Sequence, residues 1–167
     1  MTRPDPTQYP EFHQTYVRLV PEEDLLAALE KQAAETKRVL MAFLAPDHVY
    51  APDKWTVRQV VGHMTDTERL FGGRLVWAAR GDPANLPRSN PAAWMEAAHF
   101  ERYTWSDLVA EFALVRAGHL SLLRHLTPDA WERIGTVNGS PFSVRALAYV
   151  LLGHERHHLK VLQERYS

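Results

Sequence analysis

Apolar residues recur every three or four positions along four long stretches of the chain, which is the spacing that lines one face of an α-helix. We therefore predict four helices, at about residues 22–45, 56–80, 104–126 and 143–166. Four helices that each bury one apolar face are typical of a helical bundle. The pattern predicts an all-α protein that folds as a four-helix bundle, in a single domain over residues 1–167.

Signals at the helix ends support these boundaries. Thr56 stands before the second helix and Gln59 follows three residues later, which is the pattern of a capping box. Gly81 follows the end of that helix, as a C-terminal glycine cap should. Before the fourth helix, Asn138-Gly139 predicts a tight turn. The other predicted N-caps are Thr104 and Ser143.

The connection between the second and third helices is long, with 23 residues from Gly81 to Tyr103. It is rich in proline and asparagine, and Asn90-Pro91 predicts the start of a short helix within it. A helix of the predicted length spans about 36 Å, and an extended connection of this length can reach further. The second and third helices can therefore run parallel, joined by a crossover.

Composition narrows the classes of function. The 167 residues include 19 basic and 20 acidic side chains, and a net charge of -1 indicates neither nucleic acid nor an anionic membrane as a partner. The absence of cysteine excludes disulfides, thiolate metal ligands and cysteine nucleophiles. No stretch approaches about 18 apolar residues, and the N-terminus lacks the apolar region of a signal peptide. We expect a cytoplasmic protein whose metal, if any, is bound by His, Asp or Glu.

Two histidines interrupt the apolar stripe of the fourth helix. His154 and His158 stand where the stripe would continue, and a buried imidazole needs partners for its nitrogens. Two imidazoles four residues apart on a helix point the same way and can chelate one ion. The remaining positions of the stripe are Val144, Leu147, Leu151 and Val161.

The same stretch spells H-E-x-x-H, the signature of zinc peptidases. Those enzymes need a third ligand well downstream, but only nine residues follow His158. Glu155 and His157 lie off the apolar stripe, so we expect both on the flank of the helix, away from the core. A di-iron site built from Glu96-x-x-His99 and Glu155-x-x-His158 is disfavoured as well, because Glu96 and His99 lie in the crossover and not in a long helix, and Glu155 is expected to point away from the core.

If His154 and His158 bind a metal, the third ligand lies upstream, and His63 on the second helix is the best candidate. It lies about 10 Å into its helix, while His158 lies about 12 Å before the end of the fourth. Antiparallel packing of these helices would bring the two to one level. His119, on the stripe of the third helix, could be a fourth ligand, a partner that orients a ligand, or a core histidine with its own hydrogen bonds.

Three segments resemble the DinB/YfiT-like superfamily of four-helix-bundle metalloproteins. They are "YVRLVPEEDLLAALE" near the start, "WTVRQVVGHMTDTERLF" on the second helix and "FSVRALAYVLLGHERHHLKVLQERY" on the fourth. The resemblance implies an up-down-down-up topology with a long crossover between helices two and three. It also implies a metal triad of His63, His154 and His158, the residues selected above from the apolar stripes.

The resemblance further implies an activity. Members of known function are metal-dependent thiol transferases, isomerases and hydrolase-like enzymes, and several use low-molecular-weight thiols such as bacillithiol or mycothiol. We expect a thiol transferase or hydrolase-like activity on a small molecule, with a homodimer as the oligomer common in the family. The alternative is a non-catalytic bundle that binds a metal or ligand in a stress response.

Three histidine ligands would leave positions open for water or substrate. A divalent metal there (Zn, Ni, Fe, Mn or Co) would lower the pKa of a bound water or thiol. A nearby carboxylate would act as a base or orient an imidazole. The candidates are Asp66, one turn from His63, and Glu155, beside His154. The aromatic residues that could wall the site are Trp94, Phe100 and Trp105.

Overall fold

The computed structural model describes residues 2–166, and four of its helices are long. In chain order the helices are α1 (Gln14–Val17), α2 (Leu25–Met41), α3 (Val57–Ala79), α4 (Pro91–Ala98), α5 (Trp105–Arg124), α6 (Pro128–Trp131) and α7 (Val144–Arg165). The strands are β1 (Asn85–Leu86), β2 (Ile134–Val137) and β3 (Ser140–Ser143), and 3-10 turns cover Pro6–Gln8, Glu11–His13 and Phe100–Arg102. The predicted four-helix bundle, made of α2, α3, α5 and α7, is confirmed. Within residues 2–166 no helix is long and apolar enough to cross a lipid bilayer.

Two buried apolar clusters show in which direction each of the long helices runs. The first, around Leu29, Leu75 and Leu147, takes the early residues of α2 and α7 and the late residues of α3 and α5. The second, around Leu40 and Val61, takes the opposite ends of the same helices. Consequently α3 and α5 run in one direction, while α2 and α7 run in the other. The up-down-down-up topology requires this order, and the chain between α3 and α5 has to cross the length of the bundle.

The predicted caps form as the sequence indicates. The Thr56 hydroxyl accepts a hydrogen bond from the Gln59 N–H at 3.1 Å, and the Gln59 side chain accepts one from the Thr56 N–H at 2.9 Å. Ser143 accepts from the Ala146 N–H at 3.0 Å at the start of α7. Gly81 follows α3 with a φ of 72°, the left-handed conformation that glycine adopts without strain.

The predicted start of the first long helix was wrong by three residues. The helix begins at Leu25, because the Asp24 carboxylate accepts a hydrogen bond from the Ala27 N–H at 3.0 Å and caps it. Glu22 lies before the cap and pairs with Arg156 at 2.6 Å. Asp24 therefore serves as the cap and Glu22 forms an ion pair between two segments of the chain.

A small sheet follows α6 and was not predicted. Strands β2 and β3 are antiparallel, with Val137 opposite Ser140, so the predicted turn is a two-residue hairpin loop. Asn138 and Gly139 have φ values of 49° and 76°, which suits the primed hairpin turns that favour Asn-Gly. Strand β1 adds parallel to β2. Strands of two to four residues are too short to show a period in the sequence.

The segment before α2 also packs onto the bundle. Val17 and Val20 are fully buried, and Arg156 of α7 donates a hydrogen bond to the Leu19 carbonyl at 2.7 Å. Gly153 permits the close approach, because a Cβ there would lie 2.1 Å from the carbonyl oxygen of Tyr16. The segment therefore lies directly against the part of α7 that carries His154.

Candidate metal centre

The structure brings His63, His154 and His158 together between α3 and α7. The Nε2 atom of His154 lies 3.2 Å from that of His63 and 3.1 Å from that of His158. The donor nitrogens of all three lie within 4.8 Å of one another. Antiparallel packing of α3 against α7 produces this meeting, because His63 lies early in its helix and His158 late in its own.

Burial keeps these imidazoles neutral. It lowers the pKa of His63 to about 4 and that of His158 to about 3, and it lowers the pKa of His154 well below the usual value. The neighbouring histidines lower these pKa values further. At neutral pH each ring is therefore unprotonated on one nitrogen and offers a lone pair.

The arrangement of the nitrogens fits a bound cation better than hydrogen bonding among the rings. An imidazole nitrogen carries either one hydrogen or one lone pair. The His154 nitrogen faces two others at hydrogen-bond distance and can be directed at only one of them. A cation that shared the three lone pairs would satisfy all of the rings. The donor set therefore suits a divalent transition metal, and it leaves coordination positions for other ligands.

Two aromatic rings flank the cluster. The Trp55 ring lies 5.1 Å from the His63 ring, centroid to centroid, and the Tyr16 ring lies 5.2 Å from that of His154 in an edge-to-face contact. Sequence reasoning missed both as site residues. Trp55 precedes the Thr56 cap and Tyr16 precedes the first periodic stretch, so the apolar stripes singled out neither.

Cavities open on two sides of the cluster. On one side, a cleft of about 260 Å³ reaches His158, and we call it the His158 cleft. Its lining residues are Tyr50, Asp53, Lys54, Trp55, Val60, His157, His158, Val161 and Tyr166. On the other side, a cavity of about 20 Å³ is lined by residues that include His63 and Asp66. Trp94 and Phe100 line this smaller cavity, whereas Trp105 packs against the second apolar cluster.

Asp66 lies half-buried beside the cluster, one turn after His63. Burial raises the pKa of its carboxyl group, although Arg69, at 3.4 Å, counteracts part of the effect. A carboxylate with a raised pKa accepts a proton more readily near neutral pH than an exposed one does. The Asp66 carboxylate lines the smaller cavity and holds a proton to a higher pH than an exposed aspartate does.

The prediction that Glu155 lies away from the core was wrong. Its side chain is 1% exposed, forms an ion pair with Arg116 at 2.6 Å and accepts a hydrogen bond from the Thr36 hydroxyl. The first half of α7 is buried on nearly its whole circumference, because the N-terminal segment covers a side that the bundle leaves open. The apolar stripe therefore marks only part of the buried surface of α7.

Glu155 belongs to a buried ion cluster to which all four long helices contribute. Arg116 of α5 pairs with Glu155 of α7 and with Glu68 of α3, while Thr36 of α2 bonds Glu155. All four side chains are at most 3% exposed. We call Thr36, Glu68, Arg116 and Glu155 the four-helix ion cluster.

His119 is next to this ion cluster. Its Nδ1 lies 3.0 Å from the Glu68 carboxylate, and its other ring nitrogen lies against Gly72, where a Cβ would clash with it. Within residues 2–166 the grouping of three metal-binding side chains is His63, His154 and His158, without His119. His119 is therefore a histidine with a carboxylate partner of its own. His157 is exposed, as predicted for the flank of α7.

The chain belongs to the DinB superfamily, whose family model matches residues 16–162. The resemblance noted from the sequence is thus confirmed. Among solved structures, YfiT from Bacillus subtilis superposes on this chain with a TM-score of 0.65 and 23% sequence identity. The alignment covers 98% of this chain and 90% of the YfiT chain. YfiT is described as a probable metal-dependent hydrolase with an unusual four-helix bundle topology.

A second similar structure is a mycothiol-dependent maleylpyruvate isomerase, with a TM-score of 0.69 and 16% identity. The alignment covers 86% of this chain but 61% of the isomerase, so the isomerase has a large part with no counterpart here. No curated protein sequence matches the chain. At these identities the two structures show a shared fold.

Proposed function

We propose that the protein is a metal-dependent enzyme that acts on a small molecule, as a thiol transferase or with a hydrolase-like activity. His63, His154 and His158 hold one divalent transition metal. The observation that carries the proposal is the convergence of three neutral imidazole nitrogens beside a cleft large enough for an organic molecule. A purely structural histidine would have its own partner, as His119 has.

The bound metal would lower the pKa of a coordinated water or thiol toward neutrality and so supply a nucleophile. The three histidines stay neutral because they are buried, so their lone pairs are available at neutral pH. Asp66, which lines the smaller cavity, would accept a proton on its carboxylate. Trp55 and Tyr16 exclude water from the flanks of the histidine rings.

Glu155, the other carboxylate proposed from the sequence, has a different part in this account. One of its oxygens accepts from Thr36 and the other faces Arg116, so neither is directed at the histidines. We propose that Glu155 fixes α7 in the bundle and thereby sets the position of His154.

The two similar structures support the choice of chemistry. YfiT is described as a probable metal-dependent hydrolase, and the isomerase as dependent on mycothiol, a small thiol. Hydrolysis and thiol transfer differ in whether water or a thiol is the nucleophile. Both need a metal site with open positions, which three histidines provide.

Turnover by metal-loaded protein tests the proposal. Wild type is stripped, reloaded in turn with Zn, Ni, Fe, Mn and Co, and assayed with bacillithiol or mycothiol plus an electrophile, and with a panel of small esters. We expect activity with at least one metal, and its loss in His63→Ala, His154→Ala and His158→Ala. His125→Ala is the matched control, since it changes an exposed histidine that lines neither cavity. Bound metal without turnover on any substrate would favour the non-catalytic binder.

A further inference from the structure

The His158 cleft has a wall of aromatic side chains whose arrangement is fixed. The Tyr50 and Tyr166 rings meet edge to face, 4.9 Å apart and 86° between planes. The Tyr166 hydroxyl donates a hydrogen bond to the Trp55 carbonyl at 2.5 Å, which ties the end of α7 to the loop before α3. Trp55 in turn contacts the His63 ring. The wall therefore extends from the surface to the histidine cluster.

The lining favours an apolar and uncharged ligand. Val60 and Val161 join the three aromatic residues, so apolar side chains form most of the surface. Asp53 and Lys54 carry opposite charges and are both exposed, so the cleft has no net preference for an anion or a cation. Aromatic side chains bind flat rings through offset or edge-to-face contacts.

Of the two cavities beside the histidine cluster, only the His158 cleft is large enough for an organic molecule. A cavity of about 260 Å³ is slightly smaller than the range for small-molecule sites, about 300–1,000 Å³, and can hold a small ring. The cavity on the Asp66 side has about 20 Å³, and a single water needs at least about 10–15 Å³. A ring does not fit there.

We propose that the His158 cleft is the substrate pocket and takes a flat, uncharged, apolar group such as an aryl ring, with the reacting end of the molecule toward His158. As a statement about the substrate it rests on the proposed function. As a statement about binding it does not rest on that function. Of the three histidines only His158 lines the cleft, and the rest of the wall is made of other residues.

Binding of 2-naphthol to metal-free protein tests the pocket, with the saturated analogue decahydro-2-naphthol as the comparison ligand. By saturation-transfer NMR and calorimetry we expect a dissociation constant for 2-naphthol at or below about 1 mM. The saturated analogue, which is not flat, should bind at least about five-fold more weakly, since aromatic contacts are worth about 1 kcal/mol. Equal binding of the two ligands, or none of 2-naphthol, would overturn the proposal.

Substitutions in the wall of the cleft test where 2-naphthol binds. Tyr50→Ala should weaken 2-naphthol binding about five- to ten-fold, while Tyr50→Phe should retain it because the ring remains. Tyr103→Ala is the matched control, since Tyr50 and Tyr103 are 38% and 37% exposed and Tyr103 does not line the cleft. Binding that is unchanged in Tyr50→Ala contradicts the proposed location.

The two proposals fail separately. Loss of metal binding with 2-naphthol binding retained would overturn the metal site and leave the pocket. Bound metal without 2-naphthol binding would overturn the pocket and leave the metal site. In the active enzyme, Tyr50→Ala should raise KM for aryl esters more than for alkyl esters and leave kcat nearly unchanged.

Discussion

The protein has two buried polar regions, and they are built in opposite ways. In the four-helix ion cluster, Arg116 lies between two carboxylates and each charge faces an opposite charge. In the histidine cluster, three neutral imidazole rings face each other. The His154 nitrogen lies 3.1 to 3.2 Å from the nitrogens of the other two rings. The charges of the first region are paired within the chain, while in the second the His154 nitrogen faces two other imidazole nitrogens.

The difference distinguishes buried polar residues that stabilise the fold from buried polar residues that can bind a ligand. Burying a charge costs several kcal/mol unless it is paired, so the ion cluster stabilises the bundle only as a complete set. A neutral imidazole costs much less to bury. The histidine cluster can therefore stay free for a ligand without unfolding the protein. We expect mutations in the two regions to differ in kind, with loss of stability in one and loss of binding in the other.

The largest effect is expected from Arg116→Met. It leaves two buried carboxylates without a counter-ion, and breaking such a set costs about 3–5 kcal/mol. Denaturant unfolding measures the loss. Arg124→Met is the control, since the Arg124–Glu30 pair is exposed and should contribute less than about 1 kcal/mol. A cost for Arg116→Met no larger than the control would contradict the structural role of the ion cluster.

A second substitution displaces the N-terminal segment from the histidine cluster and leaves the ion cluster in place. In Gly153→Ala the new Cβ would overlap the Tyr16 carbonyl, so we expect a loss of about 1–3 kcal/mol from forced repacking. Gly118→Ala has nothing within 4 Å of the new Cβ, and it should stabilise α5 by about 0.5–1 kcal/mol. Thermal unfolding of both variants checks the contrast. Equal shifts in the two would mean that Tyr16 does not lie against Gly153.

The histidine cluster should make the stability of the metal-free protein depend on pH. Burial holds the pKa of His63 at about 4 and that of His158 at about 3, while unfolded histidine has a pKa of about 6.5. Between these values the unfolded chain binds more protons, so the free energy of unfolding should fall as pH drops from about 6.5 to about 4. In His63→Leu/His158→Leu this dependence should weaken, although His154 and His13 still contribute, since burial lowers the pKa of His154 well below its usual value and that of His13 to about 4. Urea unfolding at several pH values measures this dependence. If the free energy of unfolding changes with pH in the variant as it does in the wild type, the assignment is refuted.

The smallest effect is expected when a single histidine of the histidine cluster is replaced by leucine. His158→Leu continues the apolar stripe of α7, so the stability of the metal-free protein should change by less than about 1 kcal/mol. His119→Leu should cost about 1–3 kcal/mol, because it removes a hydrogen-bond partner from the buried Glu68 carboxylate. Denaturant unfolding of the two variants compares them directly, and the reverse ranking would mean that the two histidines have been assigned the wrong roles.

Local sequence signals predicted the parts that depend on neighbours in the chain. The capping box at Thr56, the turn at Asn138-Gly139 and the position of His154 on its stripe follow from spacing within a few residues. The choice of His63 needed one further step, because matching depths in two antiparallel helices brought it level with His158. That step succeeded because both helices are long and regular.

Features that depend on distant contacts could not be predicted from the sequence. The Arg116–Glu155 pair joins residues on different helices, and nothing in the spacing of either marks a partner. The N-terminal segment contains 3-10 turns and a four-residue helix, which are too short to show a period. Because this segment covers one side of α7, Glu155 is buried where the stripe alone indicated exposure.

The central claim is that the three histidines bind a metal, and a titration of metal-free protein with Zn or Ni tests it most directly. In the presence of a competing chelator of known affinity, the wild type should bind one equivalent per chain. His154→Ala should bind none, while His157→Ala and Arg124→Met should bind as the wild type does. A wild type that binds no metal, or a His154→Ala variant that still binds one equivalent, would contradict the account.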